Sequence, residues 1–362
     1  MTDADKELEE LRSEISKIDS SIIQLLESRA SFAEKIGALK KKLGRHIIDR
    51  IHEQKVYEKL FSNPLKHLTK AQIQAIYREI IASCRAVQLG EKRVAFLGPR
   101  GTFSDQAAKL YFSEAEADFI IAKKISDVFR QVISEEVDYG VVPVENSTQG
   151  SVPITLDLLL ESDLKVVGEI VLRIKHNLIT LNEIPLSEIQ IILSKDQALG
   201  QCRRFIEENL PNAELIETKS TARAVEMLSK YNSAAAIGTE IAAEIYHRTI
   251  LSKGIEDSRN NFTRFFVIGH EETSPTGNDK TSIVFSVKHV PGALLSALKA
   301  FSSRDINLTK LESRPSRLTP WEYYFYTDFE GHVLEDRVKE ALKELKNSTL
   351  YIKILGSYES SK

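Results

Sequence analysis

One run of apolar residues restricts this chain more than any other feature. Leu8, Leu11, Ile15, Ile18, Ile22 and Leu25, followed by Phe32 and Ile36, fall three, four or seven apart and so line one face of a helix that continues to about Gly44. At about 1.5 Å per residue such a helix is about 55 Å long, well beyond the diameter of a 90-residue domain. A lone subunit cannot cover that stripe. The helix therefore predicts a partner, most simply a second copy in an intertwined homodimer or higher homo-oligomer. Two shorter helices are expected behind it, at about Arg50 to Phe61 and, after the Asn63-Pro64 break, about Lys70 to Leu89. Residues 1–90 thus read as an all-α domain.

The texture changes after Gly90. Short β-rich runs (RVAFLG, DYGVVPV, KVVGEIVL, IQIIL, AAAIG, RFFVIG) alternate with helical stretches, which argues for βα units and a mostly parallel sheet. The turn-rich ETSPTGND at Glu272 to Asp279 reads as a linker. Beyond it the order is strand, helix, two strands, helix, strand, the βαββαβ arrangement of ferredoxin-like modules. Three units result, at 1–90, 92–270 and 280–362.

Composition excludes whole classes of function. The 49 Lys plus Arg against 52 Asp plus Glu give a net charge of −3, which offers no basic footprint for nucleic acid. No apolar run is long enough to cross a membrane, and the charged start MTDADKELEELRSEI lacks the apolar stretch of a signal peptide, so the expected location is cytoplasmic. The only cysteines are Cys84 and Cys202, with no metal-ligand spacing, so neither a disulfide framework nor a metal site is expected.

Cations interrupt the long helix. Arg29 and Lys40 lie 11 positions apart in the sequence and therefore only about 20° apart around the axis, whereas Arg12 points about 100° away from Arg29, where it can serve a partner's site. Asp49, Glu53 and Gln88 add further polar groups. Cations along a core-facing stripe are costly to bury without an anionic ligand.

These pieces, LRSEISKID (Leu11 to Asp19), LLESRASFAEKIGALKKK (Leu25 to Lys42), the stretch from Asp49 to Glu53, and YREIIASCRAVQ (Tyr77 to Gln88), resemble the all-helical chorismate mutases. The resemblance implies a cofactor-free pericyclic conversion of chorismate to prephenate, in which a site need only hold the reactive conformer and stabilise charge at the breaking ether bond. It assigns Arg12 of one subunit and Arg29 of the other to the carboxylates, Lys40 and Gln88 to the ether oxygen, and Asp49 and Glu53 to the ring hydroxyl region. His52 stands where that family usually has arginine and Cys84 where it has serine, both expected to line the substrate.

In the middle region, GPRGTFS (Gly98 to Ser104) follows a strand and opens a helix, an anion cradle but neither a dinucleotide fingerprint nor a P-loop. VVPVENSTQGSV ends a strand on Glu145, Asn146 and Ser147, and NNFTRFFVIG places Thr263 and Arg264 on another. With STARAVEML and AAAIGTEIAAEIY these motifs resemble prephenate dehydratase. That family implies a two-lobed α/β fold similar to periplasmic binding proteins, with lobe 1 at about 92–167 and 248–270, lobe 2 at about 168–247, and prephenate in the cleft. The resemblance gives Thr263 the leaving hydroxyl, Arg264 a carboxylate and Phe265 the pocket wall, completed by Thr102, Ser104, Glu145, Asn146, Ser147 and Gln197.

Finally, VPGALLSALKAFSSRDINLTKLESRPSR (Val290 to Arg317) resembles the ACT regulatory domain of prephenate dehydratases. The resemblance implies an L-phenylalanine site between paired domains, lined by Gly292, Ala293, Leu294, Asn307 and Leu308 and shaped by Glu312, Ser313 and Arg314. Two rival readings stand beside a bifunctional, feedback-inhibited enzyme: a dehydratase that also accepts arogenate with an impaired mutase domain, and a non-catalytic sensor of aromatic metabolites.

Overall fold

The computed structural model describes residues 2–43, 50–316 and 322–361, which leaves Asp49 outside the described residues. The chain forms two compact units. One comprises residues 1–92 together with 112–118, and the other comprises 93–111 and 119–362.

The first unit is helical, with α1 (Asp3–Lys42), α2 (Arg50–Phe61) and α3 (Lys70–Leu89). Thr2 and Thr69 start α1 and α3 with reciprocal capping boxes, each hydroxyl taking the backbone N–H three residues on. α1 runs 40 residues, and only Ala33 and Gly37 of it are buried. The stripe from Leu8 to Ile36 is exposed along its whole length within this single chain.

In the second unit, β1 (Lys92–Leu97), α4 (Phe103–Tyr111), β2 (Ala117–Ala122), α5 (Ile125–Ile133), β3 (Tyr139–Asn146), β4 (Gly150–Ser151), α6 (Pro153–Glu161) and β5 (Lys165–Arg173) begin the first lobe. The chain then crosses to a second lobe made of β6 (Asn177–Thr180), β7 (Ile191–Ser194), α7 (Asp196–Gln201), α8 (Arg203–Asn209), β8 (Glu214–Glu217), α9 (Thr221–Met227), β9 (Ala234–Gly238), α10 (Glu240–Ile245) and β10 (Thr249–Lys253). It returns on β11 (Phe262–Gly269), which sits between β3 and β5 in the order β2-β1-β3-β11-β5, while the second sheet runs β10-β6-β9-β7-β8.

Two expectations are corrected here. The sheets are mixed rather than mostly parallel, because β11 runs antiparallel to both of its neighbours and β6 antiparallel to β9 and β10. The lobe boundaries also move, since β5 pairs with β11 and so keeps residues 168–173 in lobe 1, while β10 pairs with β6 and carries lobe 2 on to 253.

The C-terminal module follows as β12 (Asp279–Ser286), α11 (Ala293–Ser302), β13 (Leu308–Pro315), β14 (Tyr323–Glu330), α12 (Asp336–Ser348) and β15 (Tyr351–Glu359), with sheet order β13-β14-β12-β15. One face of its sheet is covered by α11 and α12 through Ile283, Phe285, Phe301, Phe329 and Leu345. The other face shares a core with lobe 1, where Val284, Tyr326, Leu355 and Tyr358 pack with Phe129, Leu159, Val166 and Phe266. The region expected to act as a loose linker is stitched down, with Thr276 donating its backbone N–H to Asp279 at 2.8 Å.

Candidate active sites

In the helical unit, α1 and α3 close against each other at Gly37, where an added Cβ would lie 3.0 Å from Gln88 Cγ. Two turns earlier, Arg29 donates Nη1 to Cys84 Sγ at 2.7 Å. Arg29, Cys84 and Gln88 therefore share one seam, and Lys40 continues the same face of α1 by helical spacing. Arg12 is not brought there. It is exposed and paired with Glu9 at 3.2 Å, so within one chain it adds nothing to the seam. His52 is exposed on α2.

Glu53 is ion-paired with Arg85 at 3.3 Å, and Arg85 in turn lies 3.2 Å from Glu116. Burial pushes the Glu116 carboxyl above the usual carboxylate range, opposed by the Arg85 guanidinium. Arg85 is a neighbour of this site that periodicity missed. It sits about 100° around α3 from Cys84, and no local pattern places residue 116 beside it.

In the second unit the geometry follows from strand direction. β1 is parallel to β3, and β11 is antiparallel to both β3 and β5, so β1, β3 and β5 end on the edge where β11 begins. GPRGTFS leaves β1 at that edge, Asn146 ends β3 there, and Thr263 begins β11 there. Both crossings to lobe 2, after Arg173 and before Phe262, also leave from it. A cleft between lobes at the carboxyl ends of strands is the usual ligand position in α/β folds.

At this edge the two N–H groups of Asn146 Nδ2 are shared among Asn261 Oδ1 at 2.8 Å, Thr263 Oγ1 at 2.9 Å and Phe262 O at 3.1 Å, while its Oδ1 accepts from Thr148 and Gln149. The Asn146 amide is thereby fully used within the protein. It fixes the Thr263 hydroxyl oxygen as an acceptor, which leaves the Thr263 proton to point elsewhere. Ser147 is similarly engaged, donating to Asn260 O and accepting from Phe262 N, each at 2.9 Å.

Thr102 starts α4, its Oγ1 accepting the Asp105 N–H at 3.3 Å, and Ser104 is buried two residues on, in the first turn. Gly101 marks the contact between lobes. Its φ is +80°, a Cβ there would lie 2.9 Å from Ala242 Cα, and its carbonyl accepts from Thr239 at 2.6 Å. Gln197 lies on α7 of lobe 2, its amide oxygen 3.4 Å from the Lys195 ammonium. Phe265 is fully buried on the same face of β11 as Thr263.

Models of three families match in this order: chorismate mutase type II over residues 11–89, prephenate dehydratase over 94–273 and the ACT domain over 281–347. A bifunctional chorismate mutase/prephenate dehydratase of Aquifex aeolicus is 45% identical over 98% of this chain and 98% of its own length. The chain belongs to the bifunctional chorismate mutase/prephenate dehydratase family. Its Neisseria gonorrhoeae relative is 40% identical over 97% of this chain and 96% of its own. Among solved structures, the prephenate dehydratase of Arthrobacter aurescens in complex with L-Phe is 32% identical with a TM-score of 0.68, covering 74% of this chain and 90% of that one. Both enzymatic activities go with this membership, which sets aside the reading of the chain as a non-catalytic sensor.

Against the pattern that the dehydratase resemblance implies, two residues sit elsewhere. Arg264 and Glu145 face each other across β11 and β3 on the sheet face opposite Thr263, where the ACT sheet docks. The Arg264 guanidinium donates Nε to Glu169 at 2.7 Å, Nη1 to Asp328 and Nη2 to Tyr358 Oη at 2.9 Å, and its plane lies over the Phe266 ring. Burial disfavours its charge, but Tyr358, Asp328 and Glu169 outweigh that and hold the guanidinium above its ordinary range. Glu145 accepts from Lys310 at 3.1 Å. Neither group is available to a ligand in the cleft, because successive strand residues point to opposite faces.

The ACT residues divide in the same way. Glu312 accepts from Ser151, and Arg314 donates to Pro153 O at 2.6 Å and pairs with Asp157 at 3.1 Å, so both fasten β13 to lobe 1 rather than lining a pocket. Gly292 opens α11 at φ +80° with open space around it, Ala293, Leu294 and Leu308 are half-buried, Ser313 is exposed on β13, and Asn307 donates to Glu330 at 3.2 Å. Among the described residues no helix is long and apolar enough to cross a membrane.

Proposed function

We propose that this chain makes prephenate from chorismate on the α1–α3 seam, converts prephenate to phenylpyruvate in the cleft at Thr263, and is inhibited in the second step by L-phenylalanine bound at its ACT module. The working unit of this reading is a cytoplasmic homodimer or higher homo-oligomer.

The mutase site takes Arg29, Lys40, Glu53 and Gln88 from one chain, Asp49 from its α2 approach, and Arg12 from the second copy. The step is unimolecular. A clamp on two carboxylates and hydrogen-bond donors at the ether oxygen lower the barrier by orientation and charge stabilisation, with no proton transfer required.

In the dehydratase step the ring carboxylate leaves as CO2 and its bonding electron pair enters the ring. The C4 carbon–oxygen bond breaks, and the hydroxyl departs as water once it has gained a proton. Aromatisation drives the change, so the protein's task is to deliver or orient that proton. Thr263 is suited to the task because Asn146 fixes its oxygen from one side and leaves its O–H to be directed at the leaving hydroxyl. This single arrangement carries the reading. A threonine hydroxyl is a poor acid, so Thr263 acts as an orienting donor or relay.

The ACT assignment is supported by the family model over 281–347 and by the L-Phe complex of the Arthrobacter relative. Purified protein given prephenate is expected to release phenylpyruvate. Thr263→Ala is expected to lower that rate by about 10² or more while sparing chorismate turnover. Full dehydratase activity in Thr263→Ala overturns the assignment.

A further inference from the structure

A dense buried polar cluster of the second unit lies at the junction of the ACT sheet with lobe 1, and the catalytic chemistry above leaves it unused. Arg264 is its centre. Glu169 on β5 takes Nε of Arg264 on one carboxylate oxygen and Lys280 Nζ, at 2.8 Å, on the other. Asp328 on β14 takes Nη1 and also accepts from Ser282. Tyr358 on β15 takes Nη2 and shares a further hydrogen bond with Ser282. The side chains of Glu169, Asp328 and Arg264 are 0%, 6% and 12% exposed, and Tyr358 is fully buried. Two cations therefore meet two buried anions, with Glu145 3.8 Å from Arg264 Nη1 at the cluster's more open edge and every guanidinium edge engaged.

Such a cluster tolerates little slack. Buried charges are stable only while their partners stay in place, so displacing the ACT sheet would strip Arg264 of two of its three hydrogen-bond partners. Arg264 is also covalently next to Thr263. β11 is held by β3 and β5 on either side, with a register shift against β3 immediately after Arg264. A movement that re-seats Arg264 is thus passed directly to the backbone that presents the Thr263 hydroxyl. Misplacement of a reacting group by about 1 Å is enough to cost about 10² in rate.

We propose that Asp328, Tyr358 and Arg264 form the joint through which the ligand state of the ACT module reaches Thr263, with Asp328 and Tyr358 acting as positioning residues through Arg264. This rests on the reading of Thr263 as the dehydratase residue and of the ACT module as the phenylalanine sensor. Allosteric coupling is a free energy shared between two sites, and cutting the physical joint reduces it while leaving each site able to bind.

The test uses the full-length protein and measures phenylalanine binding by calorimetry alongside inhibition of phenylpyruvate formation. Tyr358→Phe removes one hydroxyl and keeps the ring packed on Phe266, whose centroid is 5.7 Å away. It is expected to keep kcat without phenylalanine within about twofold and phenylalanine affinity within about threefold, yet to reduce inhibition at saturating phenylalanine at least fivefold. The fivefold figure is the lower end of ordinary coupling. Asp328→Asn is expected to uncouple more strongly. Combining it with Arg264→Gln is expected to uncouple no further than Arg264→Gln alone, the signature of residues acting through one another. If Asp328→Asn does not fold, Tyr358→Phe and Ser282→Ala carry the test. Full inhibition in variants that still bind phenylalanine overturns the proposal, as does loss of binding itself. A wild-type protein that binds phenylalanine without being inhibited overturns the underlying regulatory reading, and this joint with it; full activity in Thr263→Ala refutes the dehydratase reading instead.

Discussion

The exposed stripe on α1 makes the most demanding prediction. Leu11, Ile15 and Ile18 are each 58% exposed, Leu25 70% and Phe32 65%. Full burial of such a side chain is worth about 1.5–3 kcal/mol, so covering the exposed half yields about 1 kcal/mol each. With eight stripe residues on each of two chains, the gross gain is about 16 kcal/mol, above much of the range of about 4–15 kcal/mol for the cost of association. Ile15→Glu removes part of that gain on both chains and places two carboxylates in an apolar seam at several kcal/mol each. The dimer should then fall apart at micromolar concentration, which sedimentation velocity reads as a shift to the monomer. Chorismate turnover should fall with it, because Arg12, about 100° away from Arg29 on a helix that leaves its own bundle, is expected to serve the other chain's seam. Co-expression separates this from simple unfolding. Arg12→Ala and Arg29→Ala should each be inactive alone, while random mixing makes half the dimers heterodimers with one intact site, giving about a quarter of wild-type mutase activity. An unchanged sedimentation coefficient in Ile15→Glu, or no recovery on mixing, refutes the reasoning.

Other consequences are more local. Arg29→Ala should abolish chorismate turnover and leave phenylpyruvate formation intact; a normal rate removes Arg29 from the site. Glu116→Ala leaves Arg85 with Glu53 alone and should destabilise the helical unit by about 1–3 kcal/mol in urea titration, whereas an unchanged midpoint shows the pair to be idle. His176, at the first crossing between lobes, is buried against Phe103 and Gln201, and burial holds its pKa below the ordinary value. It stays neutral when folded and gains a proton when unfolded, so it removes stability as pH falls below about 6.5. His176→Gln should flatten the pH dependence of the melting temperature between about pH 6.5 and 5, and an unchanged slope rules His176 out as its source.

What the sequence discloses here is what repeats at short range. The apolar spacing of residues 8–36, the Asn63-Pro64 break and the strand-helix order after 280 each depend on neighbours within a turn or two, so α1, α2, α3 and the ACT elements are legible without knowing what they touch. Pairing is not legible in that way. KVVGEIVL has the composition of a strand in either lobe, and only its ladder with β11 assigns it to the first. The same holds for TILSK, which joins lobe 2 through β6.

The faces of β11 show where motif reading and physics part. Thr263, Arg264 and Phe265 stand together as one motif, and a motif read as a unit sends all three side chains to the substrate. A strand cannot do this, since its side chains alternate. Thr263 and Phe265 share the cleft side, while Arg264 shares the other with Phe266 and Ile268, two residues that pack into the core containing Tyr358 and Val284. Glu145 and Asn146 divide identically on β3. The alternation was present in the letters, but which face belongs to the cleft is decided by the docking of a sheet some 60 residues further along the chain. The position next to Thr263 is therefore occupied by a residue bonded to the ACT sheet, and on the proposed reading a single strand would carry catalysis on one side and its control on the other.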